Sequence, residues 1–184
     1  TKKTLVATYN SDCLALADCV IVDVQCDYLK RDLGNMRTGE TDMAALEATM
    51  RTIGRTIQPQ CLVLIETTVA PGTTEFVAMP ILRKAFAARG ITSDPLLAHS
   101  FERVMPGRQY VASIRDFWRV CAGCTPDARR RVEKFLSEVL NTKQFPLTVM
   151  DRPIESETTK IVENSYRATI LAFLNEWSLF AERN

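Results

Sequence analysis

The sequence predicts an α/β fold: a doubly wound, mostly parallel sheet followed by one long helix. Short, nearly continuous apolar runs recur along the chain, as strands do when both faces of a sheet are covered. Amphipathic stretches with helical spacing alternate with those runs, the pattern of parallel strands joined by crossover helices. After Pro153 no glycine or proline interrupts a periodic segment that reaches Asn184.

Cys19-Val-Ile-Val-Asp-Val24 is the first strand, and a polar stretch from Gln25 to Thr41 follows it. A helix comes next, because Met43, Leu46, Met50, Ile53 and Ile57 recur at intervals of three and four. Thr41 or Asp42 is available as its N-cap, and Pro59 stands beyond its end. The second strand, Cys61-Leu-Val-Leu-Ile65, runs into Glu66-Thr-Thr-Val-Ala-Pro-Gly-Thr-Thr74 and a further apolar-periodic segment to Arg89. Pro80 must kink or restart that helix. Strands over 95–98 and 118–122 follow, then Thr125 as N-cap with Pro126 at the first helical position. Val132, Phe135, Leu136 and Val139 share one face of that helix, and a short strand over 147–150 precedes the long one.

Composition narrows the function classes. Lys plus Arg (23) nearly balance Asp plus Glu (22) without a basic tract, which argues against nucleic acid or an anionic membrane as partner. The opening Thr-Lys-Lys-Thr-Leu-Val-Ala-Thr lacks a signal-peptide apolar stretch, and no apolar run approaches the ~20 residues of a membrane span. A cytoplasmic location is expected. Of the six cysteines, three sit in predicted strands or at their edges, where a reduced thiol serves as a small apolar residue. Cys121-Ala-Gly-Cys124 has the spacing of half a zinc site or a redox pair, but no second such pair exists and the single histidine, His99, is remote in sequence. A packing role, without metal, is expected. With one histidine, most general acid–base work falls to carboxylates, lysines or tyrosines.

Ligands of open α/β sheets bind outside the carboxyl ends of the strands, and three polar segments fall there. Glu66–Thr74 sets hydroxyls after a buried strand and leads into a helix N-terminus, whose N–H groups are free for an anion or an ordered water unless the segment is simply an N-capping loop. His99-Ser-Phe-Glu-Arg-Val-Met-Pro-Gly107 offers Glu102, either as a surface partner of Arg103 or as a carboxylate held in a cleft for proton transfer. In the last segment, Lys160 and Asn164 share a helical face that continues through Ala168 and Leu171 to Asn175. An ammonium and a carboxamide on one rigid helix can donate to an oxygen that becomes negative during reaction; a polar stripe at a helix–helix contact is the competing reading.

Taken together these segments resemble the nucleotide-sugar 6-dehydrogenase family, which oxidises UDP-glucose and UDP-N-acetylhexosamines. Ala17-Asp-Cys-Val-Ile-Val-Asp-Val24 resembles the family's Ala-Asp-Val-Ile strand, and Thr67-Thr-Val-Ala-Pro-Gly-Thr73 its Ser/Thr-Thr-Val-x-Pro-Gly-Thr loop. Ser100-Phe-Glu-Arg-Val-Met-Pro-Gly107 is similar to the Pro-Glu-Arg-Val-x-Pro-Gly segment that carries a catalytic glutamate. Glu157-x-x-Lys160-x-x-x-Asn164, followed by Asn175-Glu176, resembles the central helix. The resemblance implies a Rossmann-like NAD domain over 1–151 and the start of a central helical, dimer-forming domain over 152–184. It implies NAD as cofactor, a UDP-sugar as substrate and a homodimer serving polysaccharide biosynthesis. The reaction would be a four-electron oxidation of the sugar's C6 hydroxyl to a carboxylate, through a thioester on a cysteine.

Carried over by position, Glu102 would act as general base in thioester hydrolysis, and Lys160 and Asn164 would stabilise an oxyanion. Thr68 would order water near C6. Val24, Gln25 and Thr67 would border NAD, while Glu102, Arg103, Val104, Met105, Lys160 and Asn164 would contact the sugar nucleotide. The likeness to the Pro-Glu-Arg-Val-x-Pro-Gly form favours the N-acetylhexosamine branch over UDP-glucose. Departures are equally specific: Val24-Gln-Cys-Asp27 stands where the family has Val-x-Thr-Pro, and Phe101 where a proline precedes the glutamate. Neither the family's Gly-Gly-x-Cys nucleophile nor, among seven glycines, any G-x-G-x-x-G is present. Both ends therefore read as cut, with the first βαβ unit and the nucleophile expected elsewhere. Two alternatives stay open: a hydroxyacid dehydrogenase of the 6-phosphogluconate type, and a non-catalytic oligomerisation or regulatory module derived from the enzyme.

Overall fold

The structure is a computed structural model that describes residues 5–26, 41–104 and 107–183. Five strands form one sheet in sequential order: β1 (Cys19–Val22), β2 (Leu62–Ile65), β3 (Leu96–Ser100), β4 (Arg119–Gly123) and β5 (Leu147–Val149). β1, β2 and β3 run parallel, as do β4 and β5, while β3 and β4 are antiparallel. The expectation of a mostly parallel sheet holds, with the reversal at β4. Among the described residues, α3 (Tyr110–Arg115) is the helix that lies between β3 and β4.

Helices cover both faces. α1 (Ala44–Thr56) and α2 (Met79–Ala88) lie on one, and α4 (Pro126–Val139) on the other. β2 is buried throughout and divides its side chains accordingly: Val63 and Ile65 join Leu46, Met50, Ile53, Leu82 and Phe86, while Leu62 and Leu64 join Val132, Leu136 and Cys121. α1 and α2 approach so closely that a Cβ at Gly54 would stand 2.6 Å from the Ala85 Cβ. Any side chain there would push the helices apart.

The helix ends follow local chemistry. Neither Thr41 nor Asp42 is the N-cap of α1: Met43 holds that position without a side-chain cap, and Asp42, one residue earlier, accepts from the Ala44 N–H at 3.0 Å. Thr125 accepts from Ala128 at 3.2 Å with Pro126 at the first position of α4. Pro80 neither breaks nor sharply restarts its helix. The chain widens into a π-helical turn over Thr74–Ala78 and continues as α2, which absorbs the missing Pro80 N–H.

α5 spans Pro153–Arg183, and only Pro153, Ser156 and Glu157 on it are buried. Its first turns pack against the sheet, whereas Val162, Leu171, Phe173, Leu174, Trp177 and Phe180 are each more than half exposed. No helix among the described residues is long and apolar enough to cross a membrane.

Candidate active site

Sheet register alone gathers most of the predicted residues at one edge. Val22 pairs with Ile65, and Ile65 with His99. Val24 and Gln25, Thr67 and Thr68, and Glu102 thus leave the sheet side by side at the carboxyl ends of three parallel strands. The reversal of β4 adds a residue that the motifs do not flag. Ser100 pairs with Cys121, so Arg119, at the start of β4, reaches the same edge.

Arg119 is 3% exposed; it donates to Glu66 Oε1 at 2.5 Å and, through Nε, to Ser100 Oγ at 3.3 Å. Burial pushes the Glu66 carboxyl above the usual carboxylate range, Arg119 pulls it back, and Asp23 and Glu102 push it further up. An arginine opening an otherwise apolar strand was the available signal for this pair.

The long helix supplies the opposite wall. Lys160 Nζ donates to the main-chain carbonyl of Glu102 at 3.1 Å and lies 5.2 Å from the Phe101 ring centroid. Burial lowers the Lys160 pKa, against Glu102 and Glu163, which raise it. The Glu102 carboxylate accepts from the Val104 N–H within its own loop. Arg103 does not pair with Glu102. It reaches Glu163 on α5 at 2.5 Å and stacks 4.2 Å over Phe117, so the surface pair weighed from sequence is replaced by a tie between the loop and the helix. Thr67, Thr68, Val24 and Val104 are half-buried, Gln25 and Asn164 are exposed, and Met105 and residues 27–40 lie outside the described residues.

Two further contacts anchor α5. His99, fully buried, meets Ser156 Oγ through Nδ1 at 2.9 Å. Burial pushes its pKa down to about 4, against the Thr67 backbone, which pulls it up. Glu157, also fully buried, accepts from Gly72 N at 2.5 Å, Thr74 N at 2.8 Å and Thr74 Oγ1 at 2.6 Å. This corrects one expectation. The N–H groups at the start of the helix after Pro71-Gly72 are not free for an external anion, because the chain's own carboxylate takes them.

Burial disfavours the thiolate at four of the six cysteines. Burial pushes Cys19 up to about 11 and Cys121 and Cys124 up to about 12, and raises Cys61 as well. The Cys121/Cys124 pair is thus built for packing, and none of these four sulfurs is poised as a nucleophile. For a dinucleotide, the chain offers the strand-end edge but no glycine-rich turn, and its nearest helix N-terminus is already occupied by Glu157. These residues fit the border of a bound NAD rather than its pyrophosphate.

Comparison with known proteins agrees with this architecture. Residues 5–140 match the family described as UDP-glucose/GDP-mannose dehydrogenase family, NAD binding domain. A UDP-N-acetyl-D-mannosamine dehydrogenase of Pyrococcus horikoshii is 30% identical over 144 residues, covering 78% of this chain and 33% of that protein. A UDP-N-acetyl-D-glucosamine 6-dehydrogenase of Pseudomonas aeruginosa is 27% identical over 146 residues, again covering 78% and 33%. The solved structure of a UDP-D-ManNAc dehydrogenase from Pyrococcus horikoshii superposes with a TM-score of 0.78 at 27% identity, covering 95% of this chain and 38% of that one. The chain spans about a third of the length of these curated relatives. With the sheet, the strand-end segments and a family match over most of its length, the chain belongs to the UDP-glucose/GDP-mannose dehydrogenase family, as its NAD-binding domain.

Proposed function

We propose that this chain forms part of a cytoplasmic enzyme that oxidises the C6 hydroxyl of a UDP-N-acetylhexosamine to a carboxylate in polysaccharide biosynthesis. Residues 1–151 serve as a partial NAD domain, and 152–184 begin the helix that leads to the substrate-binding and dimer-forming part. The observation that carries the reading is the Lys160 Nζ hydrogen bond to the Glu102 carbonyl, which joins two of the predicted groups at the strand-end edge. The names of the two curated relatives, both of which refer to UDP-N-acetylhexosamines, support the substrate class.

When bound, NAD supplies the hydride acceptor for both two-electron steps. The residues of this chain do the rest. An ammonium has three donors, and the Glu102 carbonyl uses one of Lys160's, so others remain for a substrate oxygen that becomes negative. Asn164, one turn further along α5, adds a carboxamide donor. A carboxylate offers about four lone-pair sites, of which the Val104 N–H takes one, so Glu102 keeps capacity to take a proton from water. That water attacks the thioester carbonyl, the carbon–sulfur bond breaks, and the acid and the thiolate of a cysteine outside this chain are released. Thr68, beside Glu102 by register, orders the water, and Thr67 with Val24 and Gln25 borders the cofactor. Glu102 to Val104 line the sugar-nucleotide side, with the Arg103 guanidinium steadied by Glu163.

The test uses the full-length gene product with NAD and UDP-N-acetylmannosamine or UDP-N-acetylglucosamine, read by intact-mass spectrometry. Glu102→Gln should accumulate an acyl adduct on the protein, because oxidation proceeds and hydrolysis stalls. Lys160→Ala should lower kcat by ~10²- to 10³-fold without an adduct. Normal turnover by Glu102→Gln, or an adduct in Lys160→Ala alone, would refute the assignment.

A further inference from the structure

The helix that follows Pro71-Gly72 is not capped locally. Its N-cap residue, Thr73, makes no side-chain cap and spends its hydroxyl on the Ala70 carbonyl at 2.6 Å. The cap comes instead from Glu157, 83 and 85 residues along the chain from its donors, three positions before Lys160 on α5. A serine or aspartate at the N-cap would satisfy such a helix as well. What the distant cap adds is a fixed relation between two separate parts of the chain.

We propose that Glu157 is a positioning residue, whose buried carboxylate locks the loop bearing Thr67 and Thr68 onto the helix bearing Lys160 and Asn164. The inference rests on the function proposed above. Three donors, Gly72 N, Thr74 N and Thr74 Oγ1, converge on its two oxygens. Only an ionised carboxylate accepts all of them, because a glutamine would turn its NH₂ toward one of the N–H groups. The lock depends on Gly72, which has φ +93° and whose Cβ, were there one, would stand 2.9 Å from the Phe76 ring. One residue away on α5, Ser156 holds His99 at the end of β3, and Lys160 reaches Glu102 just beyond it. The first turns of α5 thus grip the segments after both β2 and β3; among the described residues Glu157 supplies the hydrogen bonds from α5 to the β2 side, and Arg152, just before the helix, pairs with Glu75 there. Burial pushes the Glu157 carboxyl up, and its three hydrogen bonds act in the opposite direction.

The test compares the full-length gene product with its Glu157→Gln and Thr74→Val variants in two measurements. Steady-state kinetics with NAD and UDP-N-acetylmannosamine should show kcat reduced by about 10²-fold in Glu157→Gln, the scale of a misplaced catalytic group, with KM for the sugar nucleotide unchanged. Thr74→Val, which keeps both backbone bonds, should show a smaller loss of the same kind. Amide hydrogen exchange should quicken at residues 72–74 in Glu157→Gln. Unchanged kcat despite faster exchange overturns the positioning role, and retained protection at 72–74 overturns the lock. Should Glu157→Gln fail to fold, Thr74→Val decides: reduced kcat at constant KM supports the proposal, and wild-type kcat overturns it. If the wild-type protein oxidises no UDP-sugar, the proposed function fails by itself, and exchange at 72–74 still reads the lock.

Discussion

Acidification should weaken the fold through one residue, His99. Its side chain is fully buried between β3 and α5, and burial pushes its pKa down from 6.5 to about 4. Because the folded value lies below the unfolded one, the unfolded chain takes up the proton first as pH falls. The contribution is complete above about pH 6.5 and is lost progressively toward pH 4. At about 1.36 kcal/mol per unit the full difference is about 3 kcal/mol, of which about 2 kcal/mol is gone by about pH 5. Glu66 and Glu157 oppose this trend. Their carboxyls are raised in the folded state, so it binds protons more tightly than the unfolded chain and gains stability over the same descent. The wild-type curve alone therefore mixes the two. His99→Asn separates them, since an asparagine amide can stand near the Nδ1 position facing Ser156 and its smaller volume adds an offset independent of pH. Urea unfolding followed by far-ultraviolet circular dichroism should give a wild-type-minus-variant difference that shrinks by about 2 kcal/mol between about pH 7.5 and about pH 5. Parallel stability curves would show that His99 is not held neutral, and would refute the reasoning.

Two other outcomes are expected. The 184-residue chain alone should reduce no NAD with any UDP-sugar, because it holds neither a G-x-G-x-x-G turn nor a Gly-Gly-x-Cys nucleophile; measurable turnover in a spectrophotometric NADH assay would contradict this. The exposed Val162, Leu171, Phe173, Leu174, Trp177 and Phe180 cover more than the single stripe of a surface helix, so the full-length gene product should be at least dimeric by light scattering at micromolar concentration. A monomer there would remove the dimer from the proposal.

What was legible in the sequence was local. Leu46, Met50, Ile53 and Ile57 announced α1 by spacing, and all four are buried in one cluster. Thr125 and Pro126 announced the start of α4 because a cap and its first turn are neighbours in the chain. The direction of β4 was not legible, since an apolar run reads the same whichever way the strand enters the sheet; with it went the place of Arg119. Glu157 was visible only as part of a motif. Its donors lie more than eighty residues away, and no local pattern marks a carboxylate that caps another helix. Lys160 and Asn164 share a face by spacing, yet Lys160 is half-buried against Phe101 and Glu102 while Asn164, one turn on, is exposed, a difference that spacing alone does not carry.

Electrostatics at this edge bears on whether Lys160 can do what is asked of it. A donor to a developing oxyanion must be protonated when the charge forms, and burial works against protonation at Lys160. Arg103 and Arg167 work against it too. Glu102 and Glu163 act in the other direction, and the geometry makes Glu163 doubly useful. At 2.5 Å it pairs with Arg103, the larger of the two opposing arginines, while its own charge still favours the ammonium. The Arg103 guanidinium in turn rests on Phe117, a surface that accepts a cation without supplying a full countercharge. The Arg103 beside Lys160 is thus offset in part by Glu163 on α5, which pairs with that arginine and itself favours the ammonium. The same helix that presents the lysine thus carries a carboxylate that, after Glu102, offsets part of the lowering that burial imposes on it.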